Sequence, residues 1–235
     1  MQYFGDCELI LIDVGNTQTK IRIIKNSSKK DISFLTSELK KRIKHFNPNA
    51  YAIVASVVNN AVETLKSYFK KIKFINAKDN LPIKINYSTP QTLGADRIAH
   101  ACGGLLYGDS FIIANAGTAT VIDVIKNREF LGGWILPGIK LSSQCLNSFT
   151  SKLPLIEDFQ TTKIYNPGKS TKECIEKGIL LFTVTSIKEI KNHFNLPVIL
   201  TGGNGKLLTN FIKAKYAENL TLNGLEVIAN SYFQS

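Results

Sequence analysis

Leu11-Ile12-Asp13-Val14-Gly15-Asn16-Thr17 and Ile113-Ala114-Asn115-Ala116-Gly117-Thr118-Ala119 align residue for residue, 102 positions apart. Each is an apolar run, a small polar residue, a glycine, and then hydroxyl or amide residues. Beyond the first stretch, Ile21 and Ile23 alternate with Lys20 and Arg22 across Thr19–Lys25, the pattern of a half-buried strand. Each stretch therefore reads as the tip of a β-hairpin. Repetition at a fixed offset points to two duplicated α/β halves.

The tips carry chemistry as well as topology. A glycine lets the backbone approach a ligand closely, and consecutive N–H groups around such a turn form an anion-binding nest. Asn16 and Thr17 add side-chain donors and Lys20 adds a positive charge. Asp13 ends a buried strand, where its carboxylate needs a partner. Mg²⁺ beside phosphates is one such partner; a structural Asx-turn is the other reading. Two facing tips, one per half, would clamp a polyphosphate.

Working outward, Ser37–Phe46 places Leu39, Ile43 and Phe46 on one helical face, and Tyr51–Val58 reads as a buried strand. Asn60–Lys71 reads as a helix with Ala61, Leu65 and Phe69 inward, followed by a strand over Ile72–Asn76. Gly94–Tyr107 reads as a helix burying Ile98, Ala101, Leu105 and Leu106. Strands are expected over Ser110–Ala116, Ala119–Ile125, Glu129–Ile135 and Pro197–Thr201, and helices over Gly138–Asn147, Gly205–Ala214 and Gly224–Phe233. The longest helix, Thr171–Phe194, is expected to bury Ile175, Ile179, Phe182, Ile190 and Phe194.

Composition narrows the function classes. The 235 residues are 44% hydrophobic and 20% charged, as in a globular protein of one large or two small domains. No apolar run approaches the roughly 18 residues needed to span a bilayer. The acidic Asp6 and Glu8 argue against an export signal. Cys7, Cys102, Cys145 and Cys174 form no CxxC pair, so buried reduced thiols in a cytoplasmic protein are expected, and the sequons at Asn26 and Asn219 carry no meaning there. The net charge is +11, concentrated in residues 1–93, where 15 basic side chains face 7 acidic ones. That excess suits nucleic acid or a small anionic ligand. The lysine runs at 40–44 and 70–73 read as solvated faces.

Two glycine pieces are decoys. Gly168-Lys169-Ser170 resembles the end of a P-loop, but position 163 is lysine where that loop needs glycine; Gly203-Asn204-Gly205 lacks the third glycine of a dinucleotide fingerprint, since position 208 is leucine. Gly94-Ala95-Asp96-Arg97 is different, because it opens a helix with an acid beside a base. There the acid accepts a substrate proton and the arginine grips a carboxylate, or else the pair is a dipole-stabilising acid next to a surface arginine. His100 lies on the same face as Asp96 and reads as a packing or supporting residue.

The set Asp13–Thr17, Gly94–Arg97, Gly117-Thr118-Ala119-Thr120, Gly132-Gly133-Trp134-Ile135-Leu136-Pro137-Gly138 and Thr201-Gly202-Gly203 resembles type III pantothenate kinase in order and spacing over nearly the whole chain. The resemblance implies an α/β protein of two ribonuclease-H-like domains, residues 1–108 and 109–235, in the acetate-and-sugar-kinase/Hsp70/actin fold with an interdomain ATP cleft. It implies transfer of the ATP γ-phosphoryl group to the 4′-hydroxyl of pantothenate, the first step of coenzyme A synthesis, in a homodimer; two anionic substrates then account for the +11 charge, so neither nucleic acid nor membrane is expected as a partner.

Carried over by position, Asp13, Val14, Gly15, Asn16, Thr17, Gln18, Thr19 and Lys20 resemble the first phosphate loop, with Asp13 near Mg²⁺. Gly117 and Thr118 match ATP-phosphate contacts, and Thr201-Gly202-Gly203 resembles the adenosine motif. Asp96 matches the catalytic base. Gly94, Ala95, Asp96 and Arg97, with Tyr87 and Thr171, match pantothenate-binding positions. One departure is Asn115: the resemblance implies an aspartate there, holding K⁺ or NH₄⁺, and an amide supplies no charge. A weakened or absent monovalent-cation requirement is expected, with Asp123 nearby as a compensating acid. A non-catalytic nucleic-acid-binding regulator and a polyphosphate hydrolase are the alternatives. Asp13, Asp96, Arg97, Tyr87 and Thr171 together favour the kinase.

Overall fold

The structure is a computed structural model and describes residues 8–234. The chain begins with strands β1 (Leu9–Val14), β2 (Gln18–Lys25) and β3 (Ser28–Leu35), then the short helix α1 (Leu39–Arg42), β4 (Tyr51–Ser56), α2 (Asn59–Tyr68), β5 (Lys71–Phe74) and β6 (Lys84–Ile85). Helix α3 (Ala95–Gly104) leads to β7 (Phe111–Ala116), β8 (Ala119–Lys126) and β9 (Glu129–Pro137). There follow α4 (Ile139–Phe149), α5 (Thr171–Phe194), β10 (Val198–Thr201), α6 (Gly205–Leu208), β11 (Lys215–Tyr216) and α7 (Leu220–Gln234).

The duplication is written in the sheets. The first runs β3-β2-β1-β4-β5, and the second β9-β8-β7-β10-β11 with β6 added beyond β9. In each, the first strand pairs antiparallel with the second and parallel with the fourth. In each, the second strand turns into the third through two left-handed residues, Asn26-Ser27 and Asn127-Arg128. Two consecutive positive φ values define the tight hairpin turn whose twist matches that of the strands. The halves differ at the tips. Asp13 faces Lys20, seven positions on, whereas Asn115 faces Val121, six on.

Contacts divide the chain into two compact units. One takes the chain up to Asp109, Asn127–Leu131 and the segment from Asn219; the other takes Ser110–Lys126 and Gly132–Glu218. The first crossing falls between Asp109 and Ser110. The closing helix packs in the first unit, although the sequence division placed it in the second. The cause is glycine packing. A β-carbon on Gly224 would enter the Ala99 carbonyl, and one on Gly103 would stand 2.5 Å from the Leu220 carbonyl, so α7 lies directly on α3. Amphipathic periodicity reports that a helix is buried, not against what.

In the first unit, Ile10, Ile12, Ile21, Leu39, Ile43, Val54 and Leu65 form one core. Leu9, Leu11 and Ile53 are also fully buried, so β1 is covered on both faces and reads as a continuous apolar run. In the second unit, Ile112, Ile122, Ile139, Ile179, Val184 and Leu200 belong to one core.

Several expectations shift. β3 has no sequence signal because it is an edge strand whose exposed Lys29 and Lys30 hide its pattern. Leu106 is exposed, since Leu105–Tyr107 tightens into a 3₁₀ turn that changes the helical phase. On α5, Phe182 is exposed and the buried stripe runs through Leu180, Thr183, Val184 and Ile187. Thr183 is tolerated there because its hydroxyl donates to the Ile179 carbonyl at 3.0 Å. The helix expected to Ala214 stops at Leu208, where the chain turns to lay β11 beside β10. Cys102 is buried as expected and burial pushes its thiol pKa up, but Cys145 and Cys174 are exposed. Cys7 lies outside the described residues.

Candidate active site

In the first unit, the antiparallel register sets Asp13, near the end of β1, opposite Lys20 on β2. Asp13 accepts a hydrogen bond from the Thr221 hydroxyl. Its carboxyl pKa is pushed up to about 6, chiefly by burial; the Thr221 bond opposes the shift, the charge of Asp96 adds to it, and Lys20 counters it. The charge of Asp96 thus reaches Asp13.

Behind them lies His100, buried, its Nε2 2.9 Å from the Thr221 Oγ1. Thr221 has one proton and gives it to Asp13, so its oxygen accepts from His100 Nε2–H. Burial lowers the His100 pKa, against the pull of Asp96 and with the help of Lys20. The buried imidazole thus holds the Thr221 hydroxyl from behind.

Lys20 is held from the side. Its Nζ donates to Asn219 Oδ1 at 3.2 Å, and Asn219 Nδ2 donates to Asp31 Oδ2 at 3.1 Å. Asp31 is gripped by Arg22 through two bonds of 2.8 Å, and Arg22 also donates to Asn223 and Glu226 on α7. The closing helix is tied to the first hairpin by this chain of charge-assisted bonds. Asn219 enters this chain and Thr221 bonds Asp13 and His100, although the sequence reading gave them only as a meaningless sequon. The signal that would have found them is tertiary.

Gly94 caps α3 from its N-terminal side, with Asp96 in the first turn. A β-carbon on Gly94 would stand 2.5 Å from Asp96 Oδ1, so the glycine makes room for that carboxylate. Arg97 is buried, its guanidinium carbon 5.6 Å from the Tyr87 ring centroid and 5.4 Å from that of Phe130. Tyr87 and Phe130 meet edge to face at 6.0 Å. Two expected substrate residues, Tyr87 and Arg97, are therefore brought together. Phe130, which sequence reasoning missed, completes the aromatic clamp.

In the second unit, Asn115 near the end of β7 pairs with Thr201 on β10. The positive φ of Gly202 (+83°) needs glycine, and a β-carbon there would stand 2.5 Å from Asn115 Oδ1. Gly117 turns the second tip through an N–H bond to the Ala119 carbonyl at 3.1 Å, leaving Thr118 exposed. Asn115, Gly117 and Gly202 thus sit around one strand end, while Gly203 faces open space. Thr171 is exposed as the first residue of α5, in a different unit from Tyr87 and Arg97. The decoy Gly168 packs against the Cys174 backbone at the entry to α5, where Ser170 caps by accepting from the Glu173 N–H at 3.2 Å.

A family model for type III pantothenate kinase matches residues 9–193. A type III pantothenate kinase of Aquifex aeolicus (strain VF5) is 32% identical over 211 residues, covering 86% of this chain and 89% of the relative. The one from Flavobacterium johnsoniae is 33% identical over 220 residues, covering 87% and 89%. Among solved structures, a conserved Campylobacter jejuni protein assigned to the Baf family of transcriptional activators aligns with a TM-score of 0.70 at 23% identity, over 96% of this chain and 100% of that one. A Sinorhizobium meliloti protein assigned as a 2-dehydro-3-deoxygalactonokinase aligns with a TM-score of 0.62 at 9% identity, over 97% of each. At these identities the two structures speak for the fold alone. With the repeated strand order, they make it the acetate-and-sugar-kinase/Hsp70/actin fold.

Proposed function

The chain belongs to the type III pantothenate kinase family and phosphorylates pantothenate in coenzyme A synthesis, and we propose that Asp96 is the general base of that transfer. The observation that carries this reading is the space Gly94 leaves for the Asp96 carboxylate at the start of α3. In the reaction, the 4′-hydroxyl oxygen bonds to the γ-phosphorus of ATP. The bond from that phosphorus to the bridging oxygen of ADP breaks, and the hydroxyl proton passes to Asp96.

The remaining roles are those the family resemblance implies. Arg97, oriented by Tyr87 and Phe130, takes the pantothenate carboxylate, and Tyr87 and Thr171 are substrate contacts. The amides and side chains of residues 13–20, with Gly117 and Thr118, take the phosphates of ATP. Gly202 and Gly203 take the adenosine.

A divalent cation fits these residues. Asp13 is a crowded carboxylate whose charge is opposed by burial and by Asp96. Among the described residues, no three His, Cys, Asp or Glu side chains group as a metal site on their own. Asp13 is the residue that would hold Mg²⁺ beside the phosphates of ATP. When bound, the ion neutralises phosphoryl charge. The neutral Asn115 amide supplies no charge to a monovalent cation.

We further propose a cytoplasmic homodimer with no nucleic-acid or membrane partner. Trp134, Ile135, Phe149 and Phe182 expose apolar surface in the second unit, which a second copy would cover. No helix among the described residues is long and apolar enough to cross a membrane.

The test is ADP release from Mg-ATP with and without pantothenate, with Asp96→Asn as control. Pantothenate-dependent release that is lost in the variant is expected. Release independent of pantothenate in both sodium and potassium buffer would sink the reading.

A further inference from the structure

The two hairpin tips are closed by the same backbone bond and by different side chains. The first residue after the third strand of each half is Thr36 or Gly138. The Thr36 N–H donates to the Thr17 carbonyl at 3.0 Å, and the Gly138 N–H donates to the Thr118 carbonyl at 3.1 Å. In the second half, the close approach of the Gly117 and Thr118 carbonyls leaves no room for a β-carbon on Gly138. In the first half there is room, and the side chain is used. The Thr36 hydroxyl donates to the Gly15 carbonyl at 2.7 Å and accepts from the Thr19 hydroxyl at 3.1 Å. Thr120, the counterpart of Thr19, is buried with an unpartnered hydroxyl, because Gly138 has no side chain to meet it.

We infer that Thr36 is a positioning residue of the first phosphate loop. It holds the Gly15 carbonyl through its hydroxyl and the Thr17 carbonyl through its backbone N–H. In a trans peptide the N–H points opposite to the carbonyl of the same unit. Fixing those two carbonyls towards Thr36 turns the amides of Asn16 and Gln18 away from it, in a tip whose residues 16–18 are exposed. The loop is thus set to present N–H groups to an anion before one arrives, and binding is spared the ordering of a flexible glycine turn. The second tip shares the backbone bond but has no side-chain lock, so the first is the pre-set half of the pair. The inference rests on the reading of residues 13–20 as a phosphate loop.

The experiment titrates MgADP into the full chain by calorimetry, with urea unfolding recorded alongside. Thr36→Val keeps the shape and removes the hydroxyl; Thr36→Ser restores it. Loss of one such bond to a loop carbonyl is expected to weaken MgADP binding roughly tenfold. The KM for pantothenate should stay within about twofold, and Thr36→Ser should bind MgADP within about twofold of the parent. A folded Thr36→Val that binds MgADP like the parent, or a Thr36→Ser as weak as Thr36→Val, would overturn the inference. Should Thr36→Val lose its cooperative transition, Thr36→Ala against Thr36→Ser decides in the same terms. Lys20→Ala separates the two layers. If it leaves MgADP binding intact, the phosphate-loop reading falls; if it weakens binding while Thr36→Val does not, only the role of Thr36 falls.

Discussion

Gly94 and Asp96 share one space: a β-carbon on the glycine would stand 2.5 Å from Oδ1 of the aspartate. The atom displaced by any larger residue is the tip of a side chain, which swings at low cost. Gly94→Ala is therefore expected to leave thermal stability within about 1 kcal/mol of the parent while moving the carboxylate out of place. A fall in kcat of roughly tenfold or more is expected, because positioned bases contribute about 10²–10⁴. A stable Gly94→Ala enzyme with parental kcat would show that the glycine serves the helix start and not the base.

Phe130 backs Arg97, and if Arg97 takes the pantothenate carboxylate as proposed, it acts on the substrate through that guanidinium. Replacing its ring by leucine keeps most of the buried volume and removes one of the two faces against the guanidinium. A cation–π contact is worth about 0.5–2 kcal/mol, so Phe130→Leu should raise the KM for pantothenate by several-fold and leave the KM for ATP unchanged. Steady-state kinetics with each substrate varied in turn checks this. Equal rises in both constants would mean a general loss of packing.

Asp13 is expected to make the nucleotide-free protein less stable at neutral pH. Its carboxyl pKa is raised from 3.8 to about 6, so its ionised form is less welcome in the folded chain than in the unfolded one. This contribution favours folding below pH 3.8 and is lost as pH rises through 6. Above that range the difference amounts to about 2–3 kcal/mol. Asp13→Asn should therefore melt several degrees higher than the parent at pH 7.5 without Mg²⁺, and the gap should close towards pH 4. Calorimetric scans across that range decide it, and a variant that melts lower than the parent at pH 7.5 would contradict the assignment.

Asn115 presents an uncharged oxygen beside Gly202. Activity in sodium-only buffer should match activity with added KCl to within about twofold, since an amide offers a cation less attraction than a carboxylate. Asn115→Asp should create a potassium stimulation. Strict potassium dependence of the parent would refute the expectation.

Gly224 and Gly203 predict opposite outcomes for one chemical change. Gly224→Ala forces a methyl into the Ala99 carbonyl and must pry α7 from α3, at a cost of about 3 kcal/mol or more. Gly203→Ala meets open space and should shift stability by no more than about 1 kcal/mol. Urea denaturation of the two variants side by side checks the pair.

The hairpin tips, α5 and most strands were legible in the sequence because their causes are local. Alternation marks β2, a 3.6-residue stripe marks α2, and glycine between a strand end and hydroxyl residues marks each tip. The cues were weaker where the cause was shared between distant segments. β3 is an edge whose polar face conceals its pattern, and Phe182 lost its buried place to the smaller Thr183, whose hydroxyl is satisfied within the helix.

The sequence by itself determined the duplication, the two hairpin tips and the family, since residue identity and spacing along the chain carry all three. Only the tertiary structure decided that α7 returns to the first unit, that Thr221 joins Asp13 to His100, that Asn219 joins Lys20 to Asp31, and that Phe130 backs Arg97. The physical reason is range. Periodicity and turn chemistry act over a few residues, whereas these partners are separated by tens to hundreds of positions and meet only once burial has chosen which faces to join.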